Sequence, residues 1–353
     1  MSDTTFTNGV TLTDADWFND VNRLHYTIFS DPATVGAART NLGAIQNCFG
    51  GRLTLATATP VMTSDQTAKT TIYYTPYSGN VILIYDGTYM VPTAFTELSQ
   101  ATTDSTKSPA AVTTNSNYDL FVWNDSGTIR CTRGPAWSSD TARGTGAGTT
   151  ELELVKGVYL NKVAISNGPA ANRGTYVGTV RSNGSSQIDW KLGLTPAAGG
   201  SAGFLGVWNM YNRVNVTACA LDSTDTWSYS TNSYRQSNNS ASNQVGVVLG
   251  LDEDALRVFA QNQAGNNSGA EQGPASGIGV DSATVNSATL TVAGLSPATG
   301  NGGGIPRSEY VAHPGIGYHY FAWLEKAPAA GTTTWYGDGG IGFQNGIYAQ
   351  VRA

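Results

Sequence analysis

Charge is scarce in this sequence. Asp, Glu, Lys and Arg make up 12% of its 353 residues, about half of the ~25% usual in soluble globular domains. With 19 Lys and Arg, a net charge of −6 and no basic cluster, it lacks the electrostatic footprint of a nucleic-acid binder. It also lacks the polybasic segment that draws a protein to an anionic membrane. The three cysteines, Cys48, Cys131 and Cys219, are odd in number, far apart and without a Cys-x-x-Cys pair. That spacing argues against a disulfide framework and a zinc site, so they read as small buried hydrophobes folded in a reducing cytoplasm. Histidine is equally sparse: His25 has no ligand residue near it, and His313 and His319 stand at a spacing that no common metal pair uses. No apolar run approaches the ~18 residues of a transmembrane helix. The polar start Met1-Ser2-Asp3-Thr4 has neither the basic nor the apolar region of a secretory signal. The expectation is a chain with no cofactor, no metal, no nucleic-acid partner and no membrane insertion.

What is abundant is glycine, at 42 residues, together with Thr, Ser and Asn. Aromatics at 10% and hydrophobics at 40% are too many for a disordered chain. A turn-rich, mainly β fold fits, its surface made polar by hydroxyls and amides.

The first fifty residues differ from the rest. Thr13-Asp14-Ala15-Asp16 resembles a capping box. Trp17, Val21, Leu24 and Ile28 then recur at i, i+4, i+7 and i+11, a narrow heptad-like stripe. Asp31 and Pro32 open a second helix whose apolar face is Val35, Ala38 and Leu42, with Gly43 as its stop. Helices this short are marginal alone, so the stripes need burial against the body of the chain or against sister copies.

From about Gly51 the period becomes two. Strands are predicted at 70–75, 81–85, 118–123, 128–132, 152–155, 158–165, 174–182 and 187–192. Asp86-Gly87 is a type I′ hairpin signal with 88–91 returning, and Asn124-Asp125-Ser126-Gly127 marks a second hairpin. Residues 97–117 read as a long polar loop. A composition break at Thr195-Pro196-Ala197-Ala198-Gly199-Gly200 suggests a boundary between a β-sandwich or barrel at 51–194 and a second at 195–353. The second part carries strands at 207–211, 215–221, 226–230, 245–249, 288–293, 319–326, 333–336 and 347–351. It also carries one predicted helix, in which Asp252, Glu253 and Asp254 sit at the first turn and Ala255, Leu256, Val258 and Phe259 follow, out to about Gln263.

No catalytic constellation stands out, and the chain reads as non-enzymatic. There is no Gly-x-Ser-x-Gly elbow. Gly144-Thr145-Gly146-Ala147-Gly148 precedes a strand and has no trailing Gly-Lys-Ser/Thr, so it is a loop rather than a phosphate cradle. Asp86 and Asp338 stand before glycines, where turn geometry explains them. The aromatic stretch Trp227, Tyr229, Tyr234 and Arg235, near Asn238, Asn239, Ser240 and Asn243, offers ring faces and amides of the kind that hold sugars. Core or interface packing explains the same alternation.

The phrase Phe6-Thr7-Asn8-Gly9-Val10-Thr11-Leu12-Thr13-Asp14-Ala15-Asp16-Trp17-Phe18-Asn19-Asp20-Val21-Asn22 resembles the opening of phage tail fibre and tailspike proteins. Ala38-Arg39-Thr40-Asn41-Leu42-Gly43 is similar to a short helix of fibre proteins. Tyr73-Tyr74-Thr75-Pro76-Tyr77, Trp208-Asn209-Met210-Tyr211-Asn212-Arg213-Val214 and Trp335-Tyr336-Gly337-Asp338 resemble phrases of phage structural proteins. The resemblance implies a homotrimer anchored to other virion proteins by residues 1–50, with Trp17, Val21, Leu24, Ile28, Val35 and Leu42 at the anchor and between copies. It implies a virion protein assembled in the host cytoplasm, a tail fibre or appendage involved in host attachment, with host surface polysaccharide as a candidate partner. A capsid decoration, head fibre or collar protein is the alternative, and a glycan-degrading tailspike is less favoured.

Overall fold

Alternation of buried and open side chains sets the strands. In Val81–Tyr85, Ile82 and Ile84 are buried while Val81, Leu83 and Tyr85 stand half open, as a period of two requires. Turns follow from residues that tolerate positive φ. Ser126 and Gly127 take φ of 52° and 97° between the paired residues Asp125 and Thr128. Lys156 and Gly157 do the same at 49° and 82° between Val155 and Val158. Both are two-residue turns of the kind that match strand twist. The Asp86-Gly87 hairpin forms with a wider loop than expected, since Tyr85 pairs with Met90. Asp86 Oδ1 accepts the backbone N–H groups of Thr88 and Tyr89 at 2.7 and 2.8 Å, which holds the loop open by two further residues.

The computed structural model describes residues 48–268, 273–294, 302–338 and 342–353. The expected helical anchor, with Trp17, Val21, Leu24, Ile28, Val35 and Leu42, lies outside the described residues, as does His25. From Phe49 to Ala353 the chain is mainly β and forms one compact unit.

Three larger sheets organise this unit. A six-stranded sheet runs Thr128–Ala136, Asn117–Asp125, Thr175–Arg181, Val158–Asn161, Leu152–Val155, with Val207–Asn209 also paired to Thr175–Arg181. A seven-stranded sheet runs Arg235–Gln236, Gly317–Lys326, Gln244–Leu249, Gly203–Leu205, Ile188–Lys191, Gln66–Lys69, with Ala275–Val280 on Gly317–Lys326. A five-stranded sheet runs Asn215–Leu221, Gly346–Arg352, Leu256–Gln261, Arg307–Ala312, Leu290–Val292. The strand Gln244–Leu249 is buried on both faces, Val245, Val247, Val248 and Leu249 alike. It packs against Thr175–Arg181, Val207–Asn209, Asn215–Leu221 and Gly346–Arg352. The rings of Tyr310 and Phe321, 5.5 Å apart, join the five-stranded to the seven-stranded sheet.

Two expectations are corrected here. The seven-stranded sheet takes Gln66–Lys69 and Ile188–Lys191 from before residue 195 and its other strands from after it, and one core cluster contains Leu53, Ile72, Val247, Phe321 and Ile347 together. The break near Thr195 is therefore a connection inside one unit, not a boundary between two sandwiches. The expected helix around Leu256 is the strand Leu256–Gln261, with Leu256, Val258 and Ala260 buried in alternation. The acids that suggested a helix start are held instead by Arg213, which reaches Glu253 at 2.6 Å and Asp254 at 2.8 Å. The residues 97–117 also hold more order than a loop. Leu98–Ala101 is a strand, and fully buried Arg133 gathers the carbonyls of Ala110 and Asp104 at 2.9 and 3.0 Å, with Thr102 O at 3.3 Å.

The layers are joined by a buried ion pair. Asp119 is fully buried and accepts Arg143 Nε at 2.6 Å, Thr150 Oγ1 at 2.9 Å and Thr179 Oγ1 at 2.6 Å. Arg143 also donates to Tyr176 Oη at 3.2 Å and to the carbonyl of Gly250 at 2.7 Å. Gly178 permits the nearby close approach of strands, because a Cβ there would lie 2.2 Å from the carbonyl oxygen of Trp208. Replacing Asp119 by Ala leaves the Arg143 charge without its buried counter-ion, so urea unfolding should show a loss of about 3–5 kcal/mol. A loss below about 1 kcal/mol would contradict the tie.

Candidate functional site

The aromatic stretch singled out from sequence is placed by two strand pairings. Trp227 lies opposite Trp335, and Arg235 lies opposite Glu325 in the edge strand of the seven-stranded sheet. These registers converge on Glu325, which is fully buried. Its Oε1 accepts Arg235 Nε at 2.8 Å and its Oε2 accepts Trp227 Nε1 at 2.6 Å. The guanidinium of Arg235 lies 3.9 Å from the Tyr229 ring centroid, a stacked cation, and Trp227 stands edge-on to Trp323 at 6.3 Å and 89°. Three of the four residues thus form one clasp. Tyr234 stands beside it, with the Lys326 ammonium 5.6 Å from its ring centroid.

The groups that would greet a sugar hydroxyl here are already engaged. The indole N–H and the guanidinium both donate to Glu325. Asn238 and Asn243 donate to Asp222 Oδ2 at 3.0 and 2.9 Å, while Asp222 Oδ1 accepts the N–H groups of Gly199 and Thr224, each at 2.9 Å. Burial opposes the charge of Asp222, but the hydrogen bonds from Asn243, Asn238 and Thr224 outweigh it and hold the carboxyl below its ordinary range. For Glu325 the balance goes the other way. Burial, resisted by Trp227 and Arg235, pushes its carboxyl up to about 7. The geometry favours the packing role that the sequence also allowed. Glu325 and Asp222 were missed from sequence because each meets its partners only through folding.

The remaining candidates fall into place around this body. His319 Nδ1 lies 2.8 Å from Asp281 Oδ2, and His313 Nδ1 lies 3.1 Å from Asp252 Oδ1. Among the described residues no group of three or more His, Cys, Asp or Glu is placed to hold a metal. Cys131 is buried, whereas Cys219 is only half-buried, a correction to its expected place in the core. Cys219 lies on the outer face of the five-stranded sheet, where strand registers align Leu290, Glu309, Phe259, Tyr348 and Cys219 in one row. Phe259 and Tyr348 pack at 5.5 Å between ring centroids. Leu290 and Val292, on the edge strand, are each 62% exposed, and Val311 beside them is 49% exposed. The alternation of 288–293 predicted the strand but gave no sign that its apolar residues would face outward.

Compared with known proteins, the chain matches no protein-family model and no curated protein.

The Glu325 carboxyl yields a pH prediction. Its folded value of about 7 lies above the ~4.3 of an unfolded glutamate, so between those values the folded state holds more protons. Stability from this group is full below the lower value and falls as pH rises through the higher one. Urea unfolding at pH 5 and pH 8 should therefore move in favour of Glu325→Gln, relative to the unsubstituted protein, by up to about 3 kcal/mol. A difference that stays flat between the two pH values would contradict the assignment.

Proposed function

We propose that the chain is a structural component of a phage virion, a trimeric tail fibre or appendage involved in host attachment, held to the particle by residues 1–50. The single observation that carries the self-association is the outer face of the five-stranded sheet. Leu290 and Val292 stand open on its edge strand, next to a row that includes Phe259 and Tyr348. Exposed apolar edge strands invite pairing and are normally blunted in a protein that stays alone. The same face carries Arg257 and Glu309, bonded at 2.6 Å, and Arg307, charges that fix how a sister copy would dock. Burial of the apolar residues between copies stabilises at ~25 cal/mol per Å². Support for the virion setting comes from the opening phrase Phe6 to Asn22 and its likeness to fibre anchors. A body whose conspicuous aromatic and acidic groups serve internal clasps suits a particle component more than a catalyst.

Mass photometry of the full chain should give three times 37.0 kDa. The double variant Leu290→Lys, Val292→Lys should shift it toward lower mass with its circular dichroism spectrum unchanged. Gold-labelled antibody should decorate phage particles. A monomer under native conditions would overturn the reading.

A further inference from the structure

A second feature of the body belongs neither to the clasp nor to the outer sheet face. The hairpin Val81–Tyr85/Met90–Ala94 and the tip of the hairpin Asn117–Asp125/Thr128–Ala136 enclose an open cleft of about 480 Å³, within the size range of small-ligand sites. Its apolar lining is Ile84, Val91, Trp123 and Ala170, and its polar lining includes Asp86, Asn124 and Arg173.

Three observations bear on what it would take. First, Trp123 is half-buried and its indole N–H is tied to Thr132 Oγ1 at 2.6 Å. The ring is fixed from behind, and among the described residues no aromatic ring or cation stacks on it. Second, Arg173 is held in place by the Tyr85 ring, 5.6 Å away, and by Gly87. A Cβ at position 87 would lie 2.3 Å from the guanidinium, and Gly87 takes φ of +107°. The only hydrogen bond from that guanidinium among the described residues is a long one, 3.5 Å to Tyr85 O. Third, Asp86 spends Oδ1 on Thr88 and Tyr89, and Asn124 spends Oδ1 on the N–H of Gly127 at 2.6 Å. Asp86 Oδ2 and Asn124 Nδ2 have no partner among the described residues. Asp86 and Arg173 thus line one cleft with opposite charges and no ion pair between them.

A single anion or cation would meet one of those two charges unfavourably. A hydroxyl accepts from a guanidinium and donates to a carboxylate at once, so a polyol can bridge the gap. The C–H face of a pyranose ring suits the open face of Trp123, and Asn124 Nδ2 is free to donate to a further hydroxyl. We infer that this cleft is a binding site for a neutral saccharide, stacked on Trp123 and bridging Asp86 and Arg173. The backbone N–H groups of Tyr89 and Thr88 hold the Asp86 carboxyl below its ordinary range, so it is ionised as an acceptor at neutral pH. The assignment does not depend on the virion reading: a monomer that binds sugar would remove the trimer and leave this site standing.

The test is a titration of the full chain with methyl glucoside, methyl galactoside, methyl rhamnoside, N-acetylglucosamine and methyl glucuronide, read by saturation-transfer NMR and calorimetry. At least one neutral sugar should bind. Asp86→Asn, which keeps the turn-forming oxygen, and Arg173→Gln should each weaken that binding about tenfold, the effect of losing about 1.4 kcal/mol, with Tm unchanged. Trp123→Phe should retain part of it. Failure of every neutral sugar to bind would overturn the inference, as would binding that ignores both variants. So would a preference for the glucuronide that depends on Arg173 alone.

Discussion

Asp119 and Arg143 meet inside the body of a protein that has few charges to spend, and much of the architecture is arranged around that meeting. The carboxylate comes from Asn117–Asp125 and one of its hydroxyl donors, Thr179, from the neighbouring strand. The guanidinium lies between the strands in sequence and reaches on to Gly250, just past the strand Gln244–Leu249 of the next sheet. Apolar burial supplies most of the driving force for folding but is non-directional. Buried polar groups must find their partners or cost free energy, so they admit fewer arrangements. The same economy recurs at Arg133, Asp222 and Glu325, and at Arg52, whose guanidinium reaches the carbonyls of Pro60 and Ala353 at 2.9 and 3.0 Å. Burial lowers the pKa of Arg52 to about 10. Among these contacts, that of Asp119 and Arg143 joins segments 24 residues apart, and that of Arg52 and Ala353 joins segments 301 residues apart.

That pattern also explains how much was legible beforehand. Local signals were read well. Asn215–Leu221, Leu152–Val155 and Thr333–Tyr336 were predicted at their observed bounds, and the turn at Ser126-Gly127 forms where its residues demanded. Signals that depend on distant partners misled. Asp252, Glu253 and Asp254 looked like a helix start because Arg213 was out of view. The small residues of Ala275–Val280 gave no strand signal, yet this segment pairs with Gly317–Lys326 in the seven-stranded sheet. Trp227, Tyr229 and Arg235, singled out together in sequence, meet in the fold, but nothing in sequence revealed Glu325 at their centre. The anchor residues Trp17 to Leu42 lie outside the described structure and keep the standing that sequence gave them.

Function follows from where polar and apolar groups are left unspent. Inside the body the charged groups Asp119, Arg143, Asp222 and Glu325 have partners. Outside, two places among the described residues bear on function: the edge of the five-stranded sheet, where Leu290 and Val292 are exposed, and the cleft at the hairpin tips, lined by a fixed indole and two charges with no ion pair between them. The first suits association between copies, the second a small polar ligand. The proposed attachment role would draw on both, one to join copies and one to bind a ligand, and the two sites lie on different strands.

The central claim is that buried charge ties weld residues 49–353 into one cooperative body. Differential scanning calorimetry on the full chain carrying Leu290→Lys and Val292→Lys, at a concentration where it is monomeric, tests this directly. The account predicts one main transition for the β body whose calorimetric and van't Hoff enthalpies agree. Two separate transitions, with limited proteolysis between them cutting near Thr195, would contradict it.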